Sequence, residues 1–169
     1  MGDEISDHDS TLEDSPFAIS TTSIGSSILK YREENGRTYH VYKDGIYLKP
    51  NDDVEKDRLD LQHHLFNLTL GEKLFICPVA EKRRIHRVLD VGTGTGIWAI
   101  DFADEHPEAE VLGVDLSPIQ PEFVPPNVKF EVDDSEDTWT FSHKFDFIHN
   151  RAMEGAFADW PRFFQQSFE

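Results

Sequence analysis

The sequence predicts an α/β fold built on a parallel sheet. Three observations lead there. From Arg87 onward short apolar runs alternate with helix-like segments. The first run, Val88-Leu89, leads into a turn with glycines at alternate positions, Gly92, Gly94 and Gly96. The next run, Val111-Leu112-Gly113-Val114, ends on an acid, Asp115. Strands that alternate with crossover segments pair in parallel through right-handed connections. Strand, glycine turn, helix, strand and acid, in that order, form a nucleoside-binding half-site.

In chain order, residues 1–28 are dominated by Ser, Thr and Asp, with few large apolar side chains, and are expected to be disordered. Residues 29–86 read as an N-terminal extension. Within it Tyr39, Val41 and Ile46, Leu48 flank Lys43-Asp44-Gly45, a turn signal that predicts a two-stranded arm. Tyr31, Tyr39, Tyr42 and Tyr47 are expected to pack on the main domain. Asp52 offers an N-cap and Glu55 completes a capping box. Val54, Leu61, Leu65 and Leu68 share one helical face, Asp57, Arg58, Gln62 and His63 sit on the polar one, and Gly71 is a stop. An amphipathic helix is predicted over residues 53–70. His63-His64 has no acid or thiol at ligand spacing, so both are read as surface or packing histidines and no metal site is assigned. Residues 72–86 connect this helix to the sheet, with a short helix expected around Lys73-Leu74-Phe75-Ile76.

Residues 87–169 carry the core. Strands are predicted at 87–91, 110–115, 128–132 and 145–149, with a helix over 95–105 that ends before Pro107. Pro118, Pro121 and Pro125-Pro126 argue for a turn and loop, not a helix, between the second and third strands. Asp159 and Pro161 open a last helix with Phe163, Phe164 and Phe168 on its apolar face. The sequence stops at Glu169 inside that helix. The fourth strand, or the first on its central side, is therefore expected to present an unpaired edge.

Composition narrows the classes. The 169 residues carry a formal charge of −17, spread over both halves, so direct nucleic-acid binding lacks its electrostatic footprint. Lys82-Arg83-Arg84 with Arg87 is the one basic cluster and reads as a solvated linker. No apolar run is long enough to span a membrane, and the acidic N-terminus is not a secretory signal. The single cysteine, Cys77, excludes an internal disulfide. An intracellular protein, cytoplasmic or nuclear, is expected.

The glycine spacing selects the ligand class. A dinucleotide loop needs its third glycine at the sixth position, for close helix–strand approach. Here that position is Ile97 and the glycine arrives one residue early. No Gly-Lys-Ser/Thr follows, so a Walker loop is excluded. The pattern Asp90-Val91-Gly92-Thr93-Gly94-Thr95-Gly96, with Asp115 after the next strand, resembles motif I and the strand-end acid of class I S-adenosylmethionine-dependent methyltransferases. The likeness to the fungal LaeA-like branch is wider. It includes Tyr39-His40, Tyr47-Leu48-Lys49-Pro50-Asn51-Asp52, the run from Asp57 to His64, Gly113-Val114-Asp115-Leu116-Ser117-Pro118, and Phe130-Glu131-Val132-Asp133-Asp134. It covers roughly residues 31–169.

The resemblance implies a Rossmann-like parallel sheet of the class I methyltransferase type, incomplete at the C-terminus, with S-adenosylmethionine as cofactor. It implies that Gly92, Gly94 and Gly96 border the methionine and ribose, and that Asp90 anchors the loop. Asp115 would hold the ribose hydroxyls and Leu116 would pack on adenine. Asp133 or Asp134 would accept the adenine amino group, although the same pair also reads as a solvated acidic loop. Asn150 would lie near the methionine end. Trp139 reads equally as an adenine cover or as core. His149 and His63 are candidate bases, each more readily read as structural, so no catalytic residue is assigned. Members of the family continue past the last helix into three further strands that complete the acceptor pocket, and LaeA itself is a nuclear regulator that associates with velvet-domain proteins. The expected activity is therefore methyl transfer to an unidentified acceptor, linked to fungal secondary metabolism, with a velvet-type protein as partner. The alternative is a truncated, non-catalytic binding or regulatory module.

Overall fold

The computed structural model describes residues 31–43, 48–79 and 84–169. The predicted disordered segment, most of the Lys43-Asp44-Gly45 turn, and Lys82 and Arg83 of the basic cluster lie outside them. The chain opens with a hairpin, β1 (Tyr31–Glu34) and β2 (Arg37–His40). Its turn is Asn35-Gly36, with φ of 51° and 74°. Two consecutive positive φ angles define the hairpin turn that matches strand twist, and Asn-Gly tolerates both. The described arm turns at Asn35-Gly36, and the turn expected at Lys43-Asp44-Gly45 lies mostly outside the described residues.

Helix α1 (Asp53–Thr69) follows. Asp52 caps it as expected, accepting from the Glu55 amide at 3.0 Å, and is itself gripped by the Arg37 guanidinium from β2. The return half of the capping box gives way to another contact: Glu55 is buried and holds Arg58 through two bonds, of 3.0 and 2.8 Å. The apolar stripe is a correction. Val54, Leu61, Leu65 and Leu68 are all more than half exposed, while Glu55 and His63 face the domain. The helix lies over a polar cleft, so its polar side chains find partners there. The short helix expected at 73–76 is also absent; the segment is irregular, and Leu74 is buried with its carbonyl accepting from the Trp98 indole at 3.0 Å.

The main sheet contains β3 (Arg87–Val91), β4 (Glu110–Asp115), β5 (Val128–Val132) and β6 (Phe147–Asn150), in the order β5-β4-β3-β6 and all parallel. Helix α2 (Ile97–Glu105) joins β3 to β4; α3 (Trp160–Phe168) closes the described fold, capped by Asp159 with Pro161 in its first turn. The loop between β4 and β5 carries no helix, as its prolines require. β6 starts at Phe147 because Asp146 has another role: its carboxylate accepts from the amides of His86 and Arg87 at 2.9 and 3.0 Å.

Strand alternation builds two apolar layers. Val88 and Val111 face α2, where Trp98, Ala99, Phe102 and Ala103 are buried. Leu89, Val91 and Val114 face the other way, against Phe157 and Phe163. β3 is central: the chain moves outward to β4 and β5, then returns to place β6 on the far side of β3. The order reverses there, and ligands of open α/β sheets bind in the crevice at the strand C-termini beside such a reversal. Among the described residues no helix is long and apolar enough to cross a membrane.

Candidate functional site

A cleft opens above the C-terminal ends of β3, β4 and β6, roofed by α1. Asp90 lies fourth in β3, and parallel pairing sets it beside His149 of β6. Both side chains therefore leave the sheet on the same face. The buried Asp90 carboxylate takes His149 Nδ1 at 2.7 Å and the Thr93 hydroxyl at 2.6 Å. It anchors the turn, as expected, and also fixes the imidazole, which stacks on the Trp98 indole at 3.6 Å. A carboxylate only accepts, so the His149 proton sits on Nδ1 and leaves Nε2 free to accept.

The turn itself is shaped by glycine. Gly94 has φ of 59°, where an L side chain is strained, and its amide donates to Asp115 Oδ2 at 2.8 Å. Its carbonyl accepts from the Gln120 side-chain Nε2 at 2.7 Å. Asp115 Oδ1 accepts from the Ser117 amide at 2.9 Å. Burial pushes the Asp115 pKa above the usual carboxylate range, opposed by the Ser117 and Gly94 amides and by the nearby His40. Each carboxylate oxygen has two acceptor sites, so the amide bonds leave capacity for a ligand's hydroxyls. Gly96, φ 81°, faces Phe130; a Cβ there would run into the aromatic ring.

Asp90, Gly92, Gly94, Asp115, Leu116, Asp133 and Asp134 all border the cleft. Gly96 does not, and Asn150 does not; the next residue, Arg151, takes that place. Asp134 is buried and already holds Lys43 at 2.6 Å and the Glu136 amide at 2.9 Å. Asp133 is exposed and accepts the Asp134 amide at 2.8 Å. Of the two, Asp133 has more acceptor capacity left. Trp139 belongs to the core, edge-on to Phe141 and Phe163, with its indole donating to the Ser135 carbonyl.

The roof supplies residues that local patterns miss. Thr95 donates to Asp60 of α1 at 2.6 Å. His63 is enclosed by Asp101 at 2.9 Å, Asn67 at 2.8 Å and Arg151 at 2.8 Å. Arg151 donates to Nδ1, so the His63 proton is on Nε2, toward Asp101. Both nitrogens are committed, which removes His63 as a free base. Arg151 also lies 4.5 Å over the Phe66 ring, and burial lowers its pKa, with Asp90 opposing. Its other terminal nitrogen, Nη1, is buried without a partner.

The donor set fits S-adenosylmethionine. A strand-end carboxylate suits a ribose diol, the acid-lined cleft tolerates a sulfonium, and the glycine turn is not spaced for a pyrophosphate. A parallel sheet of this order with that turn and acid defines a nucleoside-binding α/β protein of the methyltransferase class. The methyltransferase domain family matches residues 61–169, and the chain belongs to it. It is 48% identical over 150 residues to methyltransferase pytC of Aspergillus terreus, covering 88% of this chain and 46% of that protein. It is 46% identical over 138 residues to the secondary metabolism regulator LAE1 of Cochliobolus heterostrophus, covering 80% of this chain and 45% of that protein. Against the protein-methionine methyltransferase laeA of Emericella nidulans the identity is 42% over 142 residues, covering 82% and 37%. The chain thus spans less than half the length of these curated relatives. The fold also matches a solved complex of the Haloferax volcanii Trm112 methyltransferase activator with a methyltransferase, at TM-score 0.51 and 19% identity, over 69% of this chain and 51% of that one.

Proposed function

We propose that this chain binds S-adenosylmethionine in the cleft above β3 and takes part in methyl transfer to an acceptor. The observation that carries the reading is the Asp115 carboxylate, held at the cleft edge by the Gly94 and Ser117 amides. Preorganised in this way, it accepts a ribose diol without paying to reorder. Gly94 lets the ligand lie against backbone. Asp90 keeps the turn and His149 in place rather than meeting the ligand directly. The bound cofactor supplies an electrophilic sulfonium methyl. The chain then contributes proximity, orientation and exclusion of water, which carry much of an in-line displacement. Where the acceptor must lose a proton, His149 Nε2 is the available base, with Asp90 steadying the imidazolium that forms.

Relatives named as secondary metabolism regulators support a role in that process. By the same reasoning we assign the chain to the cytoplasm or nucleus and keep a velvet-type protein as its proposed partner, tested by co-purification. Calorimetric titration with S-adenosylmethionine, beside Asp115→Ala, tests the cofactor reading. Micromolar binding that the substitution abolishes is expected; equal binding by both proteins overturns the role of Asp115. Transfer of a radiolabelled methyl group to a cell extract tests the activity. Binding without transfer favours the alternative, a non-catalytic binding or regulatory module.

A further inference from the structure

Among the described residues Arg151 is a cation without an anion. With the described carboxylates it forms no ion pair. Lys43 and Arg37, by contrast, each sit on aspartates. Arg151 is partly buried, stacked on Phe66 and tied through one nitrogen to the His63 ring. Among the described residues the buried Nη1 has no acceptor. A guanidinium removed from water without a counter-charge is costly, and a buried unsatisfied donor adds to that cost. Such a group is explained when the missing acceptor arrives with a ligand.

Topology says which part of the ligand arrives there. Arg151 follows β6, and Asp115 ends β4, on opposite sides of β3. Two strand spacings separate them, roughly 10 Å. With the ribose at Asp115, a cofactor laid across the glycine turn would bring its amino-acid end to the β6 side, where Arg151 borders the cleft. S-adenosylmethionine has a single anionic group, the carboxylate of that end. The remaining charged liners near the turn are acids, apart from Lys49, which is exposed and keeps its water. Among the described liners, Arg151 offers a partly buried planar guanidinium suited to a carboxylate.

We propose that Arg151 binds the carboxylate of the methionine moiety and so sets the cleft's preference for the intact amino-acid end. The inference rests on the S-adenosylmethionine reading. It also gives α1 a part in recognition: His63 and Phe66 aim the guanidinium, so the roof is organised around the ligand's anionic end.

The test separates the two readings. Wild-type protein is titrated with S-adenosylmethionine, with its decarboxylated analogue and with 5′-methylthioadenosine. Arg151→Gln and Arg151→Lys are titrated in parallel. Wild type is expected to bind the decarboxylated analogue about tenfold to a hundredfold more weakly than S-adenosylmethionine, the range of one charge-assisted bidentate contact. Arg151→Gln should lose that preference while still binding 5′-methylthioadenosine as wild type does, and Arg151→Lys should keep part of it. Equal binding of the two sulfonium compounds by wild type overturns the assignment and leaves the cofactor reading standing. An unchanged preference in Arg151→Gln also overturns it. Equal loss of all three ligands in that variant, after a normal thermal melt, makes Arg151 a purely structural prop and overturns it too. No binding of any ligand by folded wild type overturns both readings.

Discussion

The tie between Arg37 and Asp52 joins the hairpin to the roof helix at a single carboxylate. Asp52 caps α1 through the Glu55 amide and accepts two nitrogens from Arg37. Arg37 is the main reason its pKa falls, from 3.8 to about 2, with the Glu55 amide helping and desolvation opposing. A carboxylate depressed in the folded state stabilises that state above its unfolded pKa, and the contribution is lost as pH falls through the folded value. The thermal midpoint of wild type should therefore exceed that of Arg37→Met at pH 7. The gap should close progressively as pH falls from about 5 and be lost only below the folded pKa of about 2. A gap constant from pH 5 to pH 2 would show that Arg37 acts through packing, not through the carboxylate. Asp115 has the opposite sign: burial raises its pKa, so its ionisation works against the fold, and any stability it adds is lost as pH rises through that value. The two aspartates show why residue type alone does not give a role. The same side chain is a structural tie where arginine meets it, and an acceptor with capacity left for a ligand where two backbone amides hold it at the cleft edge.

At the scale of elements, what could be read from sequence depended on what each element packs against. β3 and β4 match their predicted bounds because they are the inner strands of the described parallel sheet and read as apolar runs, and the edge strand β5 matches because its apolar and charged residues alternate with the period of a half-covered strand. Helix α1 has its predicted length but the reverse orientation. Periodicity assumes an apolar partner, and this helix roofs a cleft lined by Asp90, Asp115 and Arg151. The Asn35-Gly36 turn was there to be read, as the strongest short hairpin signal. Arg151 was not, because its role depends on which strand lies beside β3, and no local pattern contains that. The glycine turn, Asp90 and Asp115 were legible because the chemistry fixes their spacing within one strand–turn–helix–strand unit. The reversed helix gives a direct comparison. Replacing Leu61 and Leu65 together with Gln should change unfolding free energy by no more than about 0.5 kcal/mol per site, as for exposed positions. Phe102→Ala on α2, whose ring is fully buried, should cost about 3–5 kcal/mol. Urea unfolding decides it. A loss of more than about 2 kcal/mol in the leucine pair would mean that the stripe is covered in solution.

At the scale of the whole molecule, charge acts against compaction. The chain carries 33 acids against 16 bases, and several of its described ion pairs are exposed: Arg32–Glu34, Lys56–Asp53 and Arg87–Glu110. Exposed pairs contribute between nothing and about 1 kcal/mol each, and salt weakens them. Self-repulsion of a net charge of −17 is also weakened by salt, with the opposite effect on stability. Magnitude decides between the two. The pairs act over a few ångströms, whereas the repulsion sums over every unpaired acid within a screening length. That length falls from about 30 Å at 0.01 M to about 8 Å at 0.15 M ionic strength. The first distance is comparable to a domain's diameter and the second is not. Adding NaCl from 10 to 150 mM at pH 7 should therefore raise the thermal midpoint, with most of the rise at the low end. The same screening lowers the potential that an acidic cleft presents to a sulfonium cation, so affinity for S-adenosylmethionine should fall over the same range as stability rises. Measured together by scanning calorimetry and titration, the two trends must diverge. A midpoint that falls with salt would mean that the ion pairs outweigh the repulsion, and would turn attention to the tie that links Lys43 to Asp134 and Asp137.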